Sequence, residues 1–209
     1  MIRVLIDNPS VEVNWNVTVS SAERLLSLPT IVSSITILDN SCNEITLQSF
    51  TFNQFIHLKE LSIGSNAMNE LRELGLNNLP SLQSFFVGSN SLQHCVGLII
   101  HNNPSLHTIE IGDYSFQSSV VFDIDVRESS SNLERLIVGD GCFQGSESSS
   151  FDIDIDIDID MNGLSSTPLQ LDLHSSSSLL ELSLGSQSFS SFNQFNINSN
   201  HFSTNGFNE

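Results

Sequence analysis

Five aspartates alternate with isoleucines in FDIDIDIDIDM, residues 151–161, within a serine-rich chain of 209 residues. Carboxylates hold hard cations and act as acids or bases, so this run is the first place to look for chemistry. On a β-strand, Asp152, Asp154, Asp156, Asp158 and Asp160 share one face, with neighbours about 6.6 Å apart. Adjacent pairs then repel by roughly 0.6 kcal/mol in water, so the face stays exposed, gathers cations or meets a basic surface. A dedicated calcium loop is missing. Counting from Asp152, position 6 is Ile157 where an EF-hand needs glycine, and position 12 is Gly163 rather than glutamate. The glycine-rich nonapeptide of calcium-binding β-rolls is absent too. Carboxylates strung along a straight strand cannot converge on one ion. The five aspartates are therefore candidates for a weak, shared cation surface, and a solvated low-complexity expansion is the simpler account.

The other reactive side chains are dispersed. His57, His94, His101, His107, His174 and His201 fall at no metal-ligand spacing, and GxSxG, GxxxxGK and GxGxxG are all absent. Cys42, Cys95 and Cys142 are an odd number without CxxC, which supports neither a disulfide framework nor a structural zinc site. Catalysis and a cofactor are not expected. Acidic residues outnumber basic ones 24 to 6, a formal net charge of −18, with −14 of it in residues 105–209. Such a chain repels nucleic acid and anionic membrane, and attracts cations and basic proteins. No apolar run is long enough to span a bilayer. The opening MIRVLIDNPS lacks the continuous apolar core of a secretory signal, which favours a cytoplasmic location.

The elements that would position these residues repeat. LKELSIGSNAM from Leu58 recurs as LQSFFVGSNSL from Leu82, LHTIEIGDYSF from Leu106, LERLIVGDGCF from Leu133 and LLELSLGSQSF from Leu179, with VSSITILDNSC from Val32 as the first copy. Each fits hxxhxhxxxxh, where h is apolar, and Gly follows the sixth residue in all but the first. Cys42 and Cys142 stand at or beside the last apolar position and read as small core residues. A second short alternating segment follows each copy: FTF at Phe50–Phe52, LGL at Leu74–Leu76, LII at Leu98–Ile100, FDI at Phe122–Ile124 and FNI at Phe195–Ile197. Pro80 and Pro104 then mark polar corners. One such unit cannot bury its apolar side alone, but stacked units close a continuous core. The spacing predicts a solenoid, mainly β with little helix.

LxxLxIxxNxM and LxxFxVxxNxL resemble the leucine-rich repeat consensus LxxLxLxxNxL, with Asn40, Asn66 and Asn90 at its asparagine position and Tyr114, Gly141 and Gln187 departing from it. The resemblance covers roughly residues 32–200. It implies short strands on a concave face, second short strands on the convex side, and asparagines that satisfy backbone groups inside each bend. It also implies a protein-interaction scaffold. Before the repeats, VEVNWNVTV at 11–19 reads as a strand. SAERLLSL reads as a short helix with Ser20 and Glu23 as a capping box and Pro29 closing it. The expected organisation is strands and a helix over 1–31 as a cap or partial repeat, then a solenoid over 32–200, then a fraying tail at 201–209. An acidic insertion is expected at about 144–168. It either returns as a hairpin through Asn162-Gly163 or forms an extra degenerate repeat stacked in line.

Binding is expected on the strand face between core positions. There Phe86 and Ile137 flank Glu110 near the middle of the array, and beside them lie Glu60, Thr108, Asp113, Arg135, Asp140 and Glu181. An apolar centre with an acidic rim suits a basic, partly apolar polypeptide. The alternatives are a structural or adhesive surface array and a weak cation-binding module acting through the aspartate strand. Open array ends would also permit self-association.

Overall fold

The computed structural model describes residues 15–44, 47, 50–119, 121–125, 133–145, 150–154 and 181–190. In chain order they form β1 (Asn16–Val19), α1 (Ala22–Leu26), β2 (Ser34–Ile37), β3 (Glu60–Ile63), β4 (Glu73–Asn77) and β5 (Ser84–Val87). Then come β6 (Gly97–His101), β7 (Thr108–Ile111), β8 (Val121–Asp125), β9 (Arg135–Val138), β10 (Ser150–Asp154) and β11 (Glu181–Leu184). A long sheet runs β1-β2-β3-β5-β7-β9-β11 and a short one β4-β6-β8-β10, every pairing parallel. The protein is a parallel β-solenoid of about four turns, mainly β with little helix. Each complete rung passes from the long sheet through a bend into the short sheet, then around a polar corner. None of the described helices could cross a membrane.

Period-two alternation decides what is buried. Ile35, Leu61, Phe85, Ile109 and Leu136 stand in register down one inner column of the long sheet, and Ile37, Ile63, Val87, Ile111 and Val138 down the other. All ten are buried. Parallel, in-register stacking sets like beside like, so each rung covers the apolar side of the last, and each large side chain contributes about 1.5–3 kcal/mol of burial. Aromatic rings extend the same logic: Phe116, Phe143 and Phe189 stack at 4.9 and 5.0 Å between centroids.

The glycine column follows from close approach between rungs. A Cβ on Gly64 would lie 2.5 Å from the Asp39 amide nitrogen, and one on Gly88 2.5 Å from that of Ser65. The first copy carries Leu38 at this position because the chain leaves β1 into α1, so no bend lies beneath it, and Leu38 stays exposed.

The asparagine column does not play the part the resemblance implies. Asn40, Asn66 and Asn90 adopt φ of 57, 54 and 58°, and Asn40 and Asn66 keep their side chains exposed. Tyr114, Gly141 and Gln187 share this left-handed region (φ 57, 65 and 62°). The position therefore selects for residues that enter left-handed space, which Asn and Gly do most readily. Serines satisfy the bend interior instead. Ser91 Oγ accepts from the Ala67 amide at 3.2 Å and donates to the Gly64 carbonyl at 2.6 Å. Ser115 does the same for Ser91 and Gly88, and Ser188 for Cys142 and Gly139. A hydroxyl both donates and accepts, and is short enough to sit between rungs.

Asparagines do form ladders, but outside the consensus position. Asn43 Oδ1 accepts the Asn69 amide and Asn69 Oδ1 the Gln93 amide; Asn53 and Asn77 do likewise for Asn77 and His101. These ladders pass beside one correction. Phe50–Phe52, expected as a strand, is not one, and β4 is the edge of the short sheet. From 43 to 53 is ten positions and from 69 to 77 is eight, so the earlier rung carries two extra residues upstream of Phe50, while Phe50, Phe52 and Asn53 keep the phase of Leu74, Leu76 and Asn77 without forming a strand. Phe52 and Phe55 still reach the core.

Two further expectations change. The helix cap is Ser21, whose Oγ accepts from the Arg24 amide at 3.3 Å. The one-residue shift from Ser20 places Arg24, which cannot accept, where the capping box needs glutamate; Glu44 accepts a different first-turn amide, that of Ala22. β11 pairs directly with β9, Glu181 opposite Arg135, so no in-line repeat intervenes between them in the long sheet. Phe151–Asp154 lies in β10, Phe151 opposite Phe122, so FDID at 151–154 stacks on the identical FDID at 122–125 and continues the short sheet. The Asn162-Gly163 hairpin, the segment at 195–197 and residues 1–14 of the expected N-terminal region lie outside the described residues.

Candidate functional site

Outward positions of the long sheet form two columns. One holds Asn16, Ser34, Glu60, Ser84, Thr108, Arg135 and Glu181; the other holds Thr18, Thr36, Ser62, Phe86, Glu110, Ile137 and Ser183. Register places Phe86 and Ile137 on either side of Glu110, each one strand away, or about 4.8 Å. Both are half-buried, and the rungs beyond them carry the hydroxyls of Ser62 and Ser183 at this position. Arg135 Nε lies 3.0 Å from Glu110 Oε1, so the centre of the face is charge-paired. Glu60 is exposed on β3, and Glu181 stands opposite Arg135.

Asp113 and Asp140 sit in the bends beyond the strands and serve the fold. Asp113 Oδ1 accepts the Asp140 amide at 2.9 Å, and Asp140 Oδ1 the Ser186 amide at 2.6 Å. Asp39, which the sequence reading passed over, does the same for the Ser65 amide at 2.7 Å. The signal was present: Asp39, Asp113 and Asp140 occupy one repeat position, which Ser65, Ser89 and Ser186 fill in the other copies.

Between column and bends runs a trench of about 480 Å³ across the rungs. Its floor is the glycine column, Gly64, Gly88, Gly112 and Gly139; Phe86, Glu110 and Ile137 line one side, Asp39 and Asp113 the other. The floor's backbone is fully engaged. Gly88, Gly112 and Gly139 amides donate to Ile63, Val87 and Ile111 at 2.7 Å each. Their carbonyls accept from Ser115, Cys142 Sγ and Ser188. The glycines that permit close stacking thus also leave a groove without side chains on its floor.

On the short sheet, Asp152 stands opposite Asp123 and Asp154 opposite Asp125. His101 Nε2 lies 3.0 Å from Asp123 Oδ1. Among the described residues no group of three or more His, Cys, Asp or Glu is arranged to hold a metal ion. Asp156, Asp158 and Asp160 lie outside them.

The three cysteines are buried, free thiols. Burial pushes Cys95 up to about 12, and Cys42 and Cys142 to about 11, so all three stay protonated and unreactive at neutral pH. The unfolded chain ionises its thiols above its ordinary value of about 9 while the folded chain keeps the proton. Stability is therefore full below pH 9 and falls as pH rises through 11–12. The urea midpoint should drop more steeply between pH 9 and 11 for the native chain than for Cys95→Ala; equal slopes would refute a burial effect at Cys95.

No family model, curated protein or solved structure matches the chain.

Proposed function

We propose that this protein is a non-catalytic scaffold that holds a polypeptide partner on the outer face of its long sheet. The observation that carries this reading is the trench. It sets Phe86 and Ile137, large apolar side chains at outward positions, beside a side-chain-free floor and an acidic border. Half-exposed apolar groups flanked by polar ones are the composition of an interaction centre. The leucine-rich repeat resemblance supports the same role, since a stack of short strands presents one long, rigid surface. A strongly negative chain favours a basic partner.

The test is capture of partners from lysate of the source cells by the intact chain and by the Phe86→Glu/Ile137→Glu variant. Matching circular dichroism of the two proteins must come first. A partner held by the intact chain and lost by the variant is the expected result. A partner held equally by both would overturn the assignment to this face.

A further inference from the structure

We infer that the occupant of the trench is a basic segment in polyproline II conformation, lying along the solenoid axis with apolar residues three positions apart. This rests on the trench being the binding surface and adds what it selects.

The first argument is period. Phe86 and Ile137 are two strands apart in register, or about 9.6 Å. A polyproline II helix rises about 3.1 Å per residue with three residues per turn, so positions i and i+3 recur on one side every 9.3 Å or so. An extended β-strand brings residues to one side about every 6.6 Å, which matches neither one rung step nor two. Side chains i and i+3 would contact Phe86 and Ile137 in turn. From Asp39 to Gly139 the trench spans four rung steps, about 19 Å, room for six residues of such a chain.

The second argument is hydrogen bonding. A ligand that joins a sheet needs free backbone donors and acceptors. Here the floor amides and carbonyls are already engaged from rung to rung and by Ser115, Cys142 and Ser188. Polyproline II needs no backbone partner, because its own groups stay in water. The third argument is charge. Asp39 and Asp113 border the side away from Phe86, with Asp113 one rung step beyond Phe86 and Asp39 two steps before it, so the i+1 position of the ligand lies near the Asp113 carboxylate and basic residues on that side suit the border.

The probe is a fluorescein-labelled nonapeptide of three Leu-Arg-Pro triplets, titrated with the intact chain and read by anisotropy. Its isomer Leu-Arg-Leu-Arg-Leu-Arg-Pro-Pro-Pro keeps composition and charge but moves the leucines to two-residue spacing. The triplet peptide should bind at least about tenfold more tightly than the isomer, the value of one well-buried leucine. It should also lose about tenfold or more against Phe86→Glu/Ile137→Glu. Equal or tighter binding of the isomer, with both peptides lost by the variant, overturns the polyproline II assignment and leaves the trench standing. Equal binding of the triplet peptide by chain and variant overturns the trench itself. Failure of the triplet peptide to bind the intact chain overturns the inference.

Discussion

Replacing Phe143 with alanine should destabilise the protein by about 3–5 kcal/mol, the range for truncating a buried phenylalanine without refilling the space. Phe143 is fully buried at the centre of a ring stack that crosses three rungs. It lies 4.9 Å from Phe116, 5.0 Å from Phe189 and, edge to face, 4.5 Å from Phe122. Deleting it takes a contact from each neighbour at once, and rungs tied by parallel hydrogen bonds cannot close inward on the void. Urea unfolding followed by circular dichroism measures the loss. Phe143→Leu refills most of the volume and should recover more than half of it. If Phe143→Ala cost less than about 1 kcal/mol, the stack would be a consequence of the repeat rather than a source of its stability.

The second large effect is expected at Asn103, one of the few buried polar side chains. Its Oδ1 accepts the Leu79 amide at 2.9 Å and its Nδ2 donates to the Leu76 carbonyl at 2.6 Å, joining two rungs at the polar corner. Alanine leaves the Leu79 amide buried without that acceptor, and an unmet buried group costs about 1–3 kcal/mol, so Asn103→Ala should cost roughly 2–4 kcal/mol once the lost donor bond is included. Asn77 accepts an amide in the same way but is only half-buried, so Asn77→Ala should cost less, because water replaces the missing acceptor. Equal losses at both sites would show that burial does not set the penalty.

Much of the architecture was legible in the repeat. The hxxhxhxxxxh pattern located the strands of the long sheet at 34–37, 60–63, 84–87, 108–111, 135–138 and 181–184, because a period of two can bury only one face of a strand. The FDID echo located β10 for the same reason. Where the reading failed, local pattern met a non-local constraint. FTF has a strand's alternation and the phase of Leu74–Leu76, yet it forms no strand, and its rung carries two extra residues upstream. Ser20 and Glu23 match a capping box, yet the cap is one residue later at Ser21, and Glu44, distant in sequence, accepts the Ala22 amide of the first turn.

The binding face divides along the same line. The sequence by itself determined that Phe86, Glu110 and Ile137 share an outward column, since stacking in register follows from the repeat. Only the tertiary structure decided that the glycines form a floor with no free backbone groups, that Asp113 and Asp140 are held by the bends, and that serines line the bend interior. Those outcomes depend on which rung lies one step away and how closely it approaches. Periodicity along one chain sets the order of side chains on a strand, while the distance between turns decides which of them remain free to meet a partner.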